Sequence, residues 1–139
     1  METKHHRRET LKMIRAYVIC EGQTEENLSF TMRFFPYIQL YEFEGLLFSD
    51  INKLTDIETT WARATNKLQS MRDVVQTPEH INDGYETKPS ARLKKHLNNP
   101  NYRKTLHGTL AIQSIGIDKL LAECVHFSEW YNQLIEFNK

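Results

Sequence analysis

The chain has 139 residues, 40% of them hydrophobic and 26% charged, with 18 basic and 18 acidic side chains. That size and balance suit one ordinary globular domain, long enough for one core and short for two. No apolar run is long enough to cross a bilayer, and the two cysteines, Cys20 and Cys124, have no paired spacing, which argues against a disulfide scaffold.

Residues 1–12 read as a basic, polar tail without the apolar stretch of a signal peptide, and residues 13–139 as one domain expected in the cytoplasm. Residues 13–20 are nearly continuously apolar and rich in strand formers, which predicts a strand buried on both faces. Glu21-Gly22-Gln23 ends it. Thr24 then caps a helix expected over residues 24–34, with Glu25 and Glu26 at its positive end. Pro36 stops that helix, and residues 37–40 read as a second strand. From Tyr41 the period turns helical through Phe48. A long amphipathic helix is expected over residues 56–76, and Thr77-Pro78 looks like a cap followed by proline at the first helical position. Asn82-Asp83-Gly84 is a turn. Pro89-Ser90 opens a basic helix to about Asn98, Pro100 begins another that bends near Gly108, and Gly116 marks a boundary. Residues 127–137 close the chain as a helix. The two strands point to an α/β fold with a small parallel sheet and a mostly helical C-terminal half. Phe43, Leu46, Leu47, Trp61, Leu68, Leu120, Phe127 and Trp130 are the expected core.

Charge is segregated although its sum is zero. Residues 21–60 hold eight acids against Arg33 and Lys53, whereas residues 88–117 hold six bases and no acid. Two readings fit: solvated faces that attract each other, or a divalent metal beside a phosphate-bearing partner. Within the acidic part, Glu21 follows a strand and precedes a glycine and a helix start, a place where a carboxylate can hold Mg²⁺; Glu25 lies one helical turn on. On this feature alone, the reading as a loop acid near a helix start prevails. Glu42 and Glu44 would share a face of a strand, but on a helix they stand about 200° apart, which leaves Glu42 as the ligand candidate. Both also read as acids flanking a buried Phe43. His107, after Tyr102-Arg103-Lys104, is placed to contact phosphates. Cys124 and His126 lack a second pair for zinc and read as packing and capping residues.

Three blocks carry a resemblance. Ile19-Cys20-Glu21-Gly22-Gln23-Thr24-Glu25-Glu26 is similar to a family opening of the form VEGxTEE. The stretch from Pro36-Tyr37-Ile38-Gln39-Leu40 through Glu42-Phe43-Glu44 to Phe48-Ser49-Asp50 is close to PYIQLHEFEALLFSD, with Tyr41 in place of the histidine and Gly45 in place of the alanine. Asn82-Asp83-Gly84, Pro89-Ser90-Ala91-Arg92 and Cys124 through Trp130 resemble its C-terminal pattern. Over nearly the whole chain this resembles the bacterial family known as domain of unknown function 4276.

The resemblance implies a TOPRIM-like metal-binding fold, with Glu21 as metal ligand or general base. It also implies an ATPase partner in a phage-defence setting. One departure stands out: residues 30–36 run directly into the second strand, where the family carries a further strand with an MxDYYG-like motif. That implies an internally shortened member lacking one acid. Two functions follow. In the first, Mg²⁺ held by Glu21 and Glu42, supported by Glu25, hydrolyses nucleic acid positioned by Arg92, Lys95, Arg103 and His107. In the second, the chain is a non-catalytic accessory or remnant protein that binds an ATPase partner.

Overall fold

In the computed structural model, which describes residues 19–20, 37–39, 41–81 and 84–137, two short strands come first. β1 (Ile19–Cys20) and β2 (Tyr37–Ile38) lie parallel, Ile19 opposite Tyr37 and Cys20 opposite Ile38. The remaining regular structure among the described residues is helical. A tight 3-10 stretch, Phe43–Ser49, leads into α1 (Ile51–Thr55). A second, Thr59–Ala64, leads into α2 (Thr65–Asp73), and a short turn, Pro78–His80, follows. Then come α3 (Pro89–His96), a π-helical turn at Lys104–Gly108, α4 (Thr109–Ile115), α5 (Ile117–Glu123) and α6 (Val125–Phe137).

The expectation of an α/β fold built on a small parallel sheet is therefore corrected: the described chain is mostly helical and no sheet layer forms its core. The expected segments do meet in parallel at Ile19–Cys20 and Tyr37–Ile38, while residues 13–18 of the first expected strand and the helix expected over residues 24–34 lie outside the described residues. Short apolar runs do not distinguish strand from buried segment by periodicity, and here helix-on-helix packing takes over the core.

Local chemistry explains where the helices start and stop. Asp50, in an extended conformation, accepts the Lys53 N–H at 3.1 Å and caps α1. The long helix expected over residues 56–76 is interrupted instead. Glu58 is extended, the chain restarts at Thr59, and Trp61 turns fully inward with its indole N–H on the Pro100 carbonyl at 2.9 Å. Thr55 bridges the break, its hydroxyl bonded to the Ile51 carbonyl at 2.9 Å and to the Thr65 hydroxyl at 2.8 Å. The helix expected from Pro100 begins later, at Lys104. Gly116 separates α4 from α5 as expected; its φ of 78° is left-handed, a conformation costly for any residue with a side chain.

The core runs from Leu47 and Leu54 through Trp61, Leu68, Leu93 and Leu97 to Ala111 and Phe127. Of the eight residues expected there, Leu46, Leu47, Trp61, Leu68, Leu120 and Phe127 are buried, and Phe43 and Trp130 pack half-buried against them. Truncating such a buried side chain to alanine costs about 2–5 kcal/mol, which makes this cluster the main stabilising feature of the described chain.

Candidate functional site

The carboxylate of Glu42 sits immediately before the Phe43–Ser49 stretch and reaches 48 residues along the chain to α3. It accepts the Ser90 N–H at 2.8 Å and the Ser90 hydroxyl at 2.9 Å, and the Lys88 ammonium lies 3.5 Å away. A carboxylate at this point satisfies an otherwise unpaired N–H of the first turn and meets the positive end of the helix. Partial burial alone would raise its pKa; the two Ser90 bonds and Lys88 overcome this and hold Glu42 below the usual carboxylate range. In this arrangement both Glu42 oxygens are engaged by Ser90 and the Lys88 ammonium answers its charge.

Glu44 points inward and is 2% exposed. Burial pushes its pKa up, and Lys104, 3.5 Å from Oε2, offsets this only in part. The Tyr102 hydroxyl is buried without a hydrogen-bond partner among the described residues, and burial followed by the charges of Glu44 and Glu42 pushes that phenol up. Gly108 is what admits the hydroxyl: a Cβ there would lie 3.0 Å from it.

His107 is buried against Trp61, ring centroids 4.7 Å apart. Its Nδ1 accepts the Arg103 N–H at 2.9 Å, which leaves the ring proton on Nε2, 3.5 Å from Glu58. His107 thus anchors the turn that carries Arg103, itself exposed. Arg92 and Lys95 lie on α3, the helix Glu42 caps; Lys95 is exposed and the Arg92 Nε donates to the Thr87 carbonyl. Glu21 and Glu25, like residues 1–12, lie outside the described residues. The structure therefore brings Glu42 to the start of the helix that carries Arg92 and Lys95, and places Arg103 and His107 on another turn.

Arg92 and Lys95 stand three residues apart on one face of α3, and Lys88 is the extended residue that precedes the helix. Lys67 of α2 joins them. Burial, and then the charges of Lys95, Lys67 and Arg92, hold His96 below its usual pKa, which marks this as a region of positive potential. Beside it, Arg63 donates to the Asn98 carbonyl at 3.2 Å.

Two further features escaped sequence reasoning. Glu79, 1% exposed, accepts the His126 N–H at 2.8 Å and the Phe127 N–H at 2.9 Å, capping α6 from 47 and 48 residues upstream. The Tyr37 hydroxyl is 3.2 Å from the same carboxylate and also donates to Gln39, and the Tyr37 ring packs on Phe127 and Trp130. No local pattern announces such a cap, because its partners are remote. The second feature is an open cleft of about 390 Å³ beside α1, α2 and α5. Its charges answer one another: Glu123 takes Arg72 at 2.8 Å and Lys119 at 3.0 Å, and Asp73 takes the Gln69 amide at 2.7 Å.

Fold and site together define a helical protein whose remote carboxylates pin two helix starts and leave one basic helix face outward. The chain belongs to the family described as a domain of unknown function (DUF4276), whose model matches residues 19–135. No curated protein and no solved structure matches it.

Proposed function

We propose that this chain is a non-catalytic accessory protein that binds nucleic acid through the basic face of α3. The observation that carries this reading is the row of bases at α3, Arg92 and Lys95 on one helix face with Lys88 just before its first residue and Lys67 alongside. Such a row suits a phosphodiester backbone, where each neutralised phosphate releases condensed counterions and so drives binding. The commitment of Glu42 to Ser90 and Lys88 supports a holding role for this acid rather than a hydrolytic one.

Fluorescence anisotropy with a labelled oligonucleotide across a salt series tests the reading. Affinity should fall steeply with salt, and Lys95→Glu should weaken binding about tenfold and flatten the salt dependence by about one to two phosphate contacts. Unchanged affinity in both Lys95→Glu and Arg92→Glu would sink it. Incubation with Mg²⁺ or Mn²⁺ should leave the oligonucleotide intact. Cleavage that disappears in Glu21→Gln would overturn the non-catalytic half and restore metal-dependent hydrolysis centred on Glu21.

A further inference from the structure

Tyr85 is the most exposed large hydrophobic side chain among the described residues, at 84%. Tyr41 is exposed by half as much, at 43%, whereas Tyr37, Trp61 and Tyr102 are buried at 2%, 0% and 4%. An isolated exposed ring is ordinary on a protein surface and signifies nothing alone. This one, however, opens the basic row. It lies in the turn immediately before α3, held by the Thr87 and Lys88 N–H groups on the Gly84 carbonyl at 2.9 and 2.7 Å. The Lys88 ammonium lies 5.7 Å from its ring centroid, within cation–π range, and Arg92 reaches back to the Thr87 carbonyl of the same turn. The ring is thus tethered where the row of cations begins. Arg92 and Lys95 stand about 4.5 Å apart along the helix axis, with Lys88 just before its first residue.

We infer that the nucleic acid bound by this face is single-stranded, and that the ring of Tyr85 stacks on one of its bases while Arg92 and Lys95 hold the adjoining backbone. The inference rests on the reading of α3 as the binding face and adds the class of ligand. In a duplex the base faces are covered by their neighbours, so an exposed ring beside a cationic track finds no partner surface there. A single strand offers both a backbone and free base faces. The local charge agrees. Glu86, exposed next to the ring and the one acid in residues 84–117, repels phosphate and leaves this turn to an uncharged base.

The test uses the full chain and two fluorescein-labelled probes, a twelve-nucleotide oligo-dT and a duplex of the same length, at one fixed salt concentration. Tyr85→Ala should weaken oligo-dT binding about tenfold and leave duplex binding as it is, because base–aromatic stacking is lost only where bases are free. Tyr85→Phe should bind oligo-dT like the unaltered chain, since the π-face and not the hydroxyl does the stacking. Lys95→Glu should weaken both probes. Matching thermal melts of the variants exclude misfolding, which is a safe control at so exposed a position. If Tyr85→Ala binds oligo-dT with unchanged affinity, or loses both probes equally, the stacking inference is overturned while the α3 reading stands. If the unaltered chain binds neither probe, the α3 reading fails and takes the inference with it.

Discussion

Glu79 and Glu42 each hold the first turn of a helix nearly fifty residues downstream, yet their surroundings are opposite. Glu79 is buried, offers both oxygens to backbone N–H groups of α6, and has a tyrosine hydroxyl beside it and no ion pair among the described residues. Glu42 is half-exposed, offers both oxygens to a single residue of α3, and keeps a lysine at 3.5 Å. The same device therefore serves two ends. At α6 it locks two parts of the core together, since each buried N–H must find an acceptor inside the protein. At α3 it fixes a helix at the surface while the cations of that helix stay turned to solvent.

The comparison is most easily broken at Glu79. Glu79→Ala strands one buried and one partly buried N–H group and removes the charge from the start of α6, so stability should fall by about 3 kcal/mol in urea denaturation. A loss no larger than that of an exposed substitution would refute the role given to Glu79. Glu42→Ala should cost less, about 1 kcal/mol, because water can replace a half-exposed cap. Equal losses at the two positions would erase the contrast drawn here.

Acid sharpens the comparison further. The folded-state pKa of Glu42 lies below its unfolded value, so its contribution is complete above the unfolded carboxylate pKa and is lost as pH falls through the depressed folded value. The stability gap between the unaltered chain and Glu42→Gln should accordingly be full at neutral pH and close in acid. Glu44 runs the other way. Its folded pKa is raised, so its ionisation burdens the fold as pH rises through that value and relieves it on acidification. A gap at Glu42 that widens on acidification would contradict the lowered pKa assigned to Glu42. The smallest effect is expected at Lys88→Gln, about 0.5 kcal/mol and shrinking with salt, because its pair with Glu42 is partly solvated.

How far the chain was legible differs by region for the same reason. Helical period exposed Leu47, Trp61, Leu68 and Leu120 as core before any coordinate was known, and glycine and proline chemistry placed the starts at Pro78 and Pro89 and the break at Gly116. The expected parallel pairing at Cys20 and Tyr37 formed, but the α/β core inferred from it did not, because a strand's worth of apolar residues says nothing about how much sheet surrounds it. Among the site residues, Arg92 and Lys95 were legible as a basic helix face, while the capping work of Glu42 and the anchoring work of His107 were not.

The sequence by itself determined the family, the helical core positions and the charge segregation, because these are properties of neighbours along the chain: period, composition and turn chemistry. Only the tertiary structure decided which acid faces which helix. Glu42 on Ser90, Glu79 on His126 and Phe127, and His107 on Trp61 join segments that are dozens of residues apart or wrapped by several elements at once. A hydrogen bond requires its partners within about 3 Å, and no pattern along the chain specifies that proximity. Packing of the helices does.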